Sequence, residues 1–508
     1  MLKKLYNIKV GWQQIYAFFL LGIVAFFMLQ LIVPDRCSDL YNAYLPISVG
    51  LLAGLYFSRK GLSGPIELKI YFCLFAWFLL SRWLNRDVYL FMDGKQTLNM
   101  LISFLFLSAP LCLGKKERDI LIDGLTIVYG GCYLLTSMVS VVMLVLGSYV
   151  SIPPEGTMII AENPDGFLCI SLTHRLEDAA NLFMAQFLFV YQFFKRRNKL
   201  ARFGFLICIV ILHVSIALCH SRTTQIAMSG AAAMLTMIVM MPRVKYLRPA
   251  LRSVLICATA AAALLCCYLS FDLSNSLVTK AHNIFSARFE AYYNSLETKP
   301  NEEYFGLRVD YEARQKSEEE TETSELTQQA GTDSSAADTV NTAEISAVDN
   351  RKLAGNWTFT GRTEIWHAGI VSLSRDPINI IKGQITGRHM IALNPILKEL
   401  YPHVNEFKYH MHNSFLETLM IAGLPGFCLA LAWTILMVHK MLKLFFSKKG
   451  EHSLVLKLPI LAISGMFVIS MLEIFLFMWL NDSTIVFLFV SGIFLADYYE
   501  CFTKSKMV

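Results

Sequence analysis

Apolar runs long enough to cross a bilayer recur along nearly the whole chain, and they constrain its fold more than any other feature. A helix needs about 20 apolar residues to cross about 30 Å of hydrocarbon. Of the 508 residues, 55% are hydrophobic and only 17% are charged, unlike a soluble domain. The pattern predicts an all-α, polytopic membrane protein with about 12 transmembrane helices. The predicted spans are 16–33, 45–57, 66–84, 98–113, 121–146, 180–194, 203–218, 225–241, 251–269, 415–441, 456–480 and 485–496.

Basic residues are concentrated in alternate connections between these spans, and this distribution predicts the orientation. Cytoplasmic loops of membrane proteins carry the excess of Lys and Arg. Both termini are therefore predicted to be cytoplasmic, and the net charge of +6 anchors that face and does not indicate nucleic-acid binding. The basic connections are 59–60, 115–118, 195–197, 243–248 and 440–449.

The spans stop after residue 269 and resume near residue 412, which predicts three parts. Residues 1–270 form transmembrane helices 1–9, residues 271–411 a large extracytoplasmic loop, and residues 412–508 transmembrane helices 10–12. Within the loop, residues 312–350 are acidic, rich in Ser and Thr and poor in large apolar side chains, so a disordered insert is predicted there. Residues 361–375 are predicted to form an amphipathic helix suited to the membrane surface.

Polar side chains cluster where the tenth span begins, in the stretch FKYHMHNSFLETLMIAGLPGF at 407–427. Ser414 and Glu417 have the spacing of a capping box. Such a cap places His412 and Asn413 beside the positive end of the helix, with His410 close by. That end suits an anion and keeps an imidazole neutral and able to accept a proton. The alternative is structural: Ser414 and Glu417 only cap the helix, and the backbone satisfies His412.

Two arginines lie on the same predicted outer face. Arg222 follows a tight connection between two spans, and Arg362 opens the amphipathic helix. Guanidinium groups bind phosphate oxygens through paired hydrogen bonds and stay charged. Alternatively, each arginine extends its charge to the membrane surface or pairs locally. His389 and His403 lie in the same loop as His410, but neither HExxH nor another zinc-ligand spacing is present, so no metal site is predicted.

Three segments, in this order, resemble the O-antigen ligase and polymerase superfamily of bacterial membrane glycosyltransferases. They are HSRTTQIAMSG, GRTEIWHAGIVSLSRDPINIIKG and HMHNSFLETLMIAGLPG. A weaker similarity is RLEDAANLFMAQF, where Asn181 opens a helix as an Asn does in many relatives. The chain differs from the family in its acidic insert, and Thr386-Gly387 stands where Gly-x-Gly is usual.

The resemblance implies transfer of a glycan from a polyprenyl-pyrophosphate lipid to an acceptor hydroxyl, without metal or other cofactor. The reaction would occur on the outer face of the bacterial cytoplasmic membrane, with membrane lipid around it. It further implies that His412 acts on the acceptor and that Arg222 and Arg362 hold the donor pyrophosphate. The residues expected to support them are His410, Asn413, Glu417 and Asn181.

Ligase and polymerase share this chemistry and differ in the acceptor, which is a lipid or other surface molecule for a ligase and another lipid-linked glycan for a polymerase. We favour the ligase. A polysaccharide or lipid transporter would predict two similar halves and ionisable residues at the membrane midplane. The halves are dissimilar, and Glu473 is the main carboxylate within a predicted span. A membrane sensor would not need His412 together with both arginines.

Overall fold

The structure is a computed structural model, and most of the chain can be described from it. The described residues are 11–32, 40–57, 64–86, 92–146, 151–152, 157–158, 160–162, 168–170, 175–295, 362–384, 388–402, 410–447, 454–473, 476–477 and 480–503. The predicted acidic insert at 312–350 lies outside them, as do His403, Thr386 and Gly387.

Helices form nearly all of this structure. They are α1 (Trp12–Ile32), α2 (Leu40–Phe57), α3 (Ile66–Leu84), α4 (Met92–Ser108), α5 (Lys115–Leu125), α6 (Gly131–Leu146), α7 (Arg175–Lys195), α8 (Lys199–Leu218), α9 (Arg222–Arg243), α10 (Pro249–Ser295), α11 (Arg362–Ser374), α12 (Pro377–Lys382), α13 (Arg388–Leu400), α14 (Ser414–Phe445), α15 (Leu454–Lys457), α16 (Pro459–Ser470) and α17 (Asp482–Thr503). A 3₁₀ turn, Ala109–Cys112, follows α4, and a π turn, Thr126–Gly130, joins α5 to α6.

Seven helical segments of the described chain are long and apolar enough to cross a membrane, which confirms the polytopic helical class. They are Trp12–Leu29, Lys115–Leu146, Lys199–Leu218, Arg222–Arg243, Pro249–Phe285, Ser414–Phe445 and Asp482–Phe502. Two shorter apolar segments, Gln96–Cys112 and Leu454–Ser470, accompany them. The count of twelve spans, the position of the large loop and the division at 270, 271–411 and 412–508 stay predictions.

Short β-ribbons add to the helical architecture between α6 and α7. β1 (Ser151–Ile152) pairs antiparallel with β2 (Thr157–Met158), and β3 (Ile160–Glu162) pairs antiparallel with β4 (Leu168–Ile170). Strands of two or three residues leave too little alternation to be recognised in a sequence. The ninth predicted span also differs, because α10 continues past residue 270 to Ser295 without a break.

The predicted span 456–480 is wrong as a single helix. Helix α16 ends at Ser470, and a turn at Met471 and Leu472 leads to Glu473 before α17 begins at Asp482. The apolar side chains that follow made the run look continuous. The described residues between these two helices, 471–473, 476–477 and 480–481, are called the Glu473 loop below.

Helix α14 is broken at Gly423, two residues before its internal Pro425. Gly423 has φ 68° and ψ −173°, a conformation open almost only to glycine. Pro425 then lies in the first turn of the second half, where its missing N–H has no helical partner to lose. The break frees backbone carbonyls that need other donors in a membrane.

Neighbouring elements supply those donors. The Gln384 N–H donates to the Met420 carbonyl at 2.8 Å, and Trp77 Nε1 of α3 donates to the Ala422 carbonyl at 2.7 Å. The end of α12 approaches so closely that a Cβ on Gly423 would lie 2.2 Å from the Ile381 carbonyl oxygen. The break therefore fixes α12 against α14.

Two hydrophobic clusters follow from this arrangement. The large one joins the spans, and Trp433 at its centre is fully buried against Tyr71, Phe467, Phe477 and Phe487. The smaller one joins α11 and α13 to the first half of α14. Its buried members are Ile365, Ala368, Leu373, Met390, Leu393, Ile396, Leu397, Met411 and Met420. The short helices thus form a cap over the start of α14.

Candidate active site

The N-cap residue of α14 is Asn413, one residue before the predicted Ser414. The Asn413 Oδ1 accepts hydrogen bonds from the N–H groups of Phe415 at 2.9 Å and Leu416 at 3.0 Å. Asn413 Nδ2 also donates to the Met471 carbonyl at 2.8 Å. The prediction of a Ser414–Glu417 capping box is therefore wrong. A well-capping amide precedes the serine, and tertiary contacts engage the other two side chains.

Ser414 connects the start of α14 to the Glu473 loop. Its buried hydroxyl donates to the Glu473 carbonyl at 2.9 Å and accepts from the Leu476 N–H at 3.2 Å. Together with the Asn413–Met471 bond, this fixes the loop beside the helix mouth.

Glu473 bridges two of the predicted site residues. One carboxylate oxygen pairs with a guanidinium nitrogen of Arg362, and the other lies 3.3 Å from Nδ1 of His412. The carboxylate is 6% exposed, whereas Arg362 is 22% and His412 32% exposed. A shielded carboxylate thus holds a cation and an imidazole that both remain accessible.

The bridge assigns the tautomer of His412. An ionised carboxylate accepts hydrogen bonds only, so His412 must donate from Nδ1. In the neutral ring, Nε2 then carries the lone pair and can accept a proton. Glu473 was missed as a site residue, although a carboxylate within an apolar run is a recognised signal of function.

Glu417 and His389 form a buried pair under the histidine segment. Glu417 Oε1 lies 3.1 Å from His389 Nε2, and the two side chains are 0% and 1% exposed. The other oxygen, Oε2, accepts the Met411 N–H at 2.9 Å. His410 lies beside this pair with its ring centroid 6.4 Å from that of His412, and burial lowers the pKa of His410.

Arg222 is the first residue of α9 and is exposed. Its helix is capped by Ser221, which accepts the Thr224 N–H at 3.4 Å, and α9 packs against α16, the helix that leads into the Glu473 loop. No carboxylate of the described residues forms an ion pair with Arg222. The structure shows no contact between Arg222 and the Arg362–Glu473–His412 group.

Asn181 belongs to a separate buried cluster. Tyr129 donates to the Asn181 Oδ1 at 3.1 Å. Tyr133, whose ring centroid lies 4.9 Å from that of Tyr129, donates to Asp482 at 3.1 Å. Asn181 makes no contact with His412 within the described structure. Among the described residues, no group of three or more His, Cys, Asp or Glu side chains is placed to hold a metal ion.

The O-antigen ligase family model matches residues 206–431. This region runs from α8 into α14 and contains Arg222, Arg362 and His412, while Glu473 lies beyond its end. No curated protein matches the sequence of this chain. The match confirms the resemblance that the three motifs indicate. Over residues 206–431 the chain is therefore similar to the O-antigen ligase family, which supports the resemblance to the O-antigen ligase and polymerase superfamily.

Proposed function

We propose that this protein transfers a glycan from a polyprenyl-pyrophosphate lipid to an acceptor hydroxyl at the outer face of the bacterial cytoplasmic membrane. The observation that carries the proposal is the Glu473 bridge, which joins an accessible arginine to an accessible histidine. Group transfer from a pyrophosphate needs a cation for the leaving group and a base for the attacking hydroxyl. The bridge holds both within one site.

His412 is the proposed general base. The acceptor hydroxyl attacks the anomeric carbon of the donor sugar and loses its proton to Nε2 of His412. A new carbon–oxygen bond forms as the bond to the pyrophosphate oxygen breaks, with inversion at that carbon. Glu473 fixes the tautomer that this step requires and stabilises the imidazolium that results.

Arg362 is the proposed partner of the leaving pyrophosphate. Arginine has five N–H donors, and Glu473 engages one terminal nitrogen, so the remaining donors can bind phosphate oxygens without loss of the ion pair. Arg222 is the second proposed cation. A guanidinium at the start of a helix is repelled by the helix dipole, and an anion bound there would be attracted by both.

The test is the variant His412→Ala in a knockout of the host. We expect surface glycan to be lost and lipid-linked precursor to accumulate, with the amount of protein unchanged. His367→Ala is the matched control, because His367 lies on α11 and contacts Tyr401 and not the Glu473 bridge. Normal glycan in His412→Ala would contradict the proposed base.

The same experiment distinguishes the two acceptors. For the ligase that we favour, the accumulated precursor is glycan of full length on the lipid carrier. For a polymerase, the accumulated precursor is the single repeat unit on that carrier.

A further inference from the structure

His412 has an unusual backbone conformation that other residues must maintain. Its φ is 49°, and the other non-glycine residues with positive φ in the described chain are His220 and Phe477. This left-handed region is unfavourable for a residue with a Cβ. The direction in which the His412 ring leaves the chain therefore depends on contacts that fix the adjoining peptide groups.

Both backbone groups of Met411, the residue before His412, are held by side chains. The Met411 N–H donates to Glu417 at 2.9 Å, and the Met411 carbonyl accepts from Trp366 Nε1 at 2.7 Å. Because a peptide group is a rigid plane, a fixed Met411 carbonyl fixes the plane that enters His412. On the far side of His412, the Glu417 N–H donates to the Asn413 carbonyl at 2.8 Å.

The Met411 side chain is anchored as firmly as its backbone. It is 1% exposed within the cluster formed by α11, α13 and α14. Gly369 of α11 leaves the space for it, since a Cβ at that position would lie 2.5 Å from the Met411 methyl carbon.

His389 of α13 completes the arrangement. A carboxylate without exposure is very unfavourable unless its oxygens are bonded. His389 and the Met411 N–H together provide one partner for each oxygen of Glu417. The Glu417 carboxylate therefore has one well-defined position, directed at Met411.

We infer that Glu417, His389 and Trp366 are positioning residues, which set the His412 ring for proton transfer by clamping the Met411 peptide. The inference rests on the proposed role of His412. It extends the site beyond the Glu473 bridge, and it gives His389 and Trp366 a function in the reaction, which they exert through the Met411 peptide.

The decisive variant is Trp366→Phe, assayed in the full-length protein with lipid-linked donor. The phenyl ring retains much of the packing, but the donor to the Met411 carbonyl is lost. Misorientation of a reacting group lowers turnover by up to about 100-fold. We expect kcat to fall by about 10-fold or more within that range, with KM for the donor unchanged.

Trp77→Phe is the matched control. It removes the same kind of bond, a Trp N–H to a backbone carbonyl at 2.7 Å, but at Ala422 and not at Met411. We expect a comparable loss of thermal stability from both variants and a loss of kcat only from Trp366→Phe. Equal kcat in both variants, or a change confined to KM, would overturn the inference.

Glu417 variants provide the rescue test. The amide oxygen of Glu417→Gln can still accept the Met411 N–H, so we expect kcat well above that of Glu417→Leu at the same amount of folded protein. A Glu417→Gln protein as inactive as Glu417→Leu would show that the charge, not the clamp, matters. Activity of His412→Ala in this assay would refute the proposed function and the inference together, whereas an inactive His412→Ala with normal Trp366→Phe would refute the inference alone.

Discussion

At the scale of single residues, the proposed site depends on one carboxylate whose two oxygens bind different partners. Glu473 gives one oxygen to Arg362 and the other to His412. The same group thus orients the proposed base and holds the cation proposed for the leaving group. An uncharged substitute cannot accept hydrogen bonds at both positions, because an amide has one oxygen.

Glu473→Gln should therefore lose most of the activity. The loss of a correctly held general base lowers the rate by about 10²–10⁴-fold. We expect a decrease in that range in kcat, measured as transfer from lipid-linked donor. Glu364→Gln is the control, since Glu364 lies in the first turn of α11 and bonds to Thr363, away from the bridge. Retained activity in Glu473→Gln would contradict the assigned tautomer.

His410 gives the folded protein a dependence on pH. Burial is the main cause of its lowered pKa and outweighs the opposing effect of Glu417. The folded state therefore binds fewer protons than the unfolded state, in which the pKa of His410 is about 6.5. The stability associated with neutral His410 is fully present above that value and is lost as the pH falls below it.

We accordingly expect the thermal stability of the protein in detergent to fall between pH 7.5 and pH 5.5, a range that brackets the value of about 6.5. His410→Gln, which cannot be protonated, should show a smaller fall over this range. An equal fall in both proteins would assign the pH dependence to other groups.

At the scale of elements, the break in α14 shows why local signals do not locate a kink. Pro425 has a local reason to interrupt a helix, and the sequence alone points to it. The actual break at Gly423 depends on Gly383, 40 residues earlier, whose N lies 2.8 Å from the Cβ position of Gly423. Only the folded chain brings these two glycines together.

Gly423→Ala should therefore be strongly destabilising. The added Cβ would meet the Ile381 carbonyl oxygen at 2.2 Å, and the backbone conformation itself is unfavourable for alanine. Such strain costs on the order of 1–3 kcal/mol. We expect a lower unfolding temperature in detergent and reduced transfer. The reason is that α12, and α11 with its Trp366, would be displaced from α14.

The matched variant is Gly230→Ala in α9, where a Cβ would meet nothing within 4 Å. Alanine is favoured over glycine inside a helix, so this change should leave stability equal or higher. A Gly423→Ala protein as stable as Gly230→Ala would contradict the close joint between α12 and α14.

At the scale of the whole molecule, the sequence predicts the helical class and points to three of the proposed site residues, but not to how the chain arranges them. The length of an apolar run indicates a candidate span, because a helix must be long and apolar to cross the hydrocarbon of a membrane. His412, Arg362 and Arg222 are recognisable as charged or titratable groups beside apolar runs. Glu473 is assigned to a span, since nothing local ends α16 at Ser470. Its role follows only from the bonds that Asn413 and Ser414 make to the Glu473 loop.

Among the residues expected to support the site, some are placed by local spacing and one by contacts with a distant segment. Asn413 and Glu417 lie at the helix mouth, where their spacing from His412 places them. Asn181 is far along the chain and bonds to Tyr129 in another cluster, a partnership that no spacing in the sequence reveals. Contacts between distant segments, not local pattern, therefore decide where Asn181 lies.

The orientation of the whole molecule can be tested at the two ends of α14. At about 1.5 Å per residue, its 32 residues exceed the thickness of the hydrocarbon, so we expect its ends to lie on opposite faces. The end with Lys440 and Lys443 should be cytoplasmic. In spheroplasts, we expect a membrane-impermeant maleimide to label Ser374→Cys, at the end of α11, more strongly than it labels the parent protein. We expect it to label Ser447→Cys only after permeabilisation. The reverse pattern would place His412 in the cytoplasm and contradict transfer at the outer face.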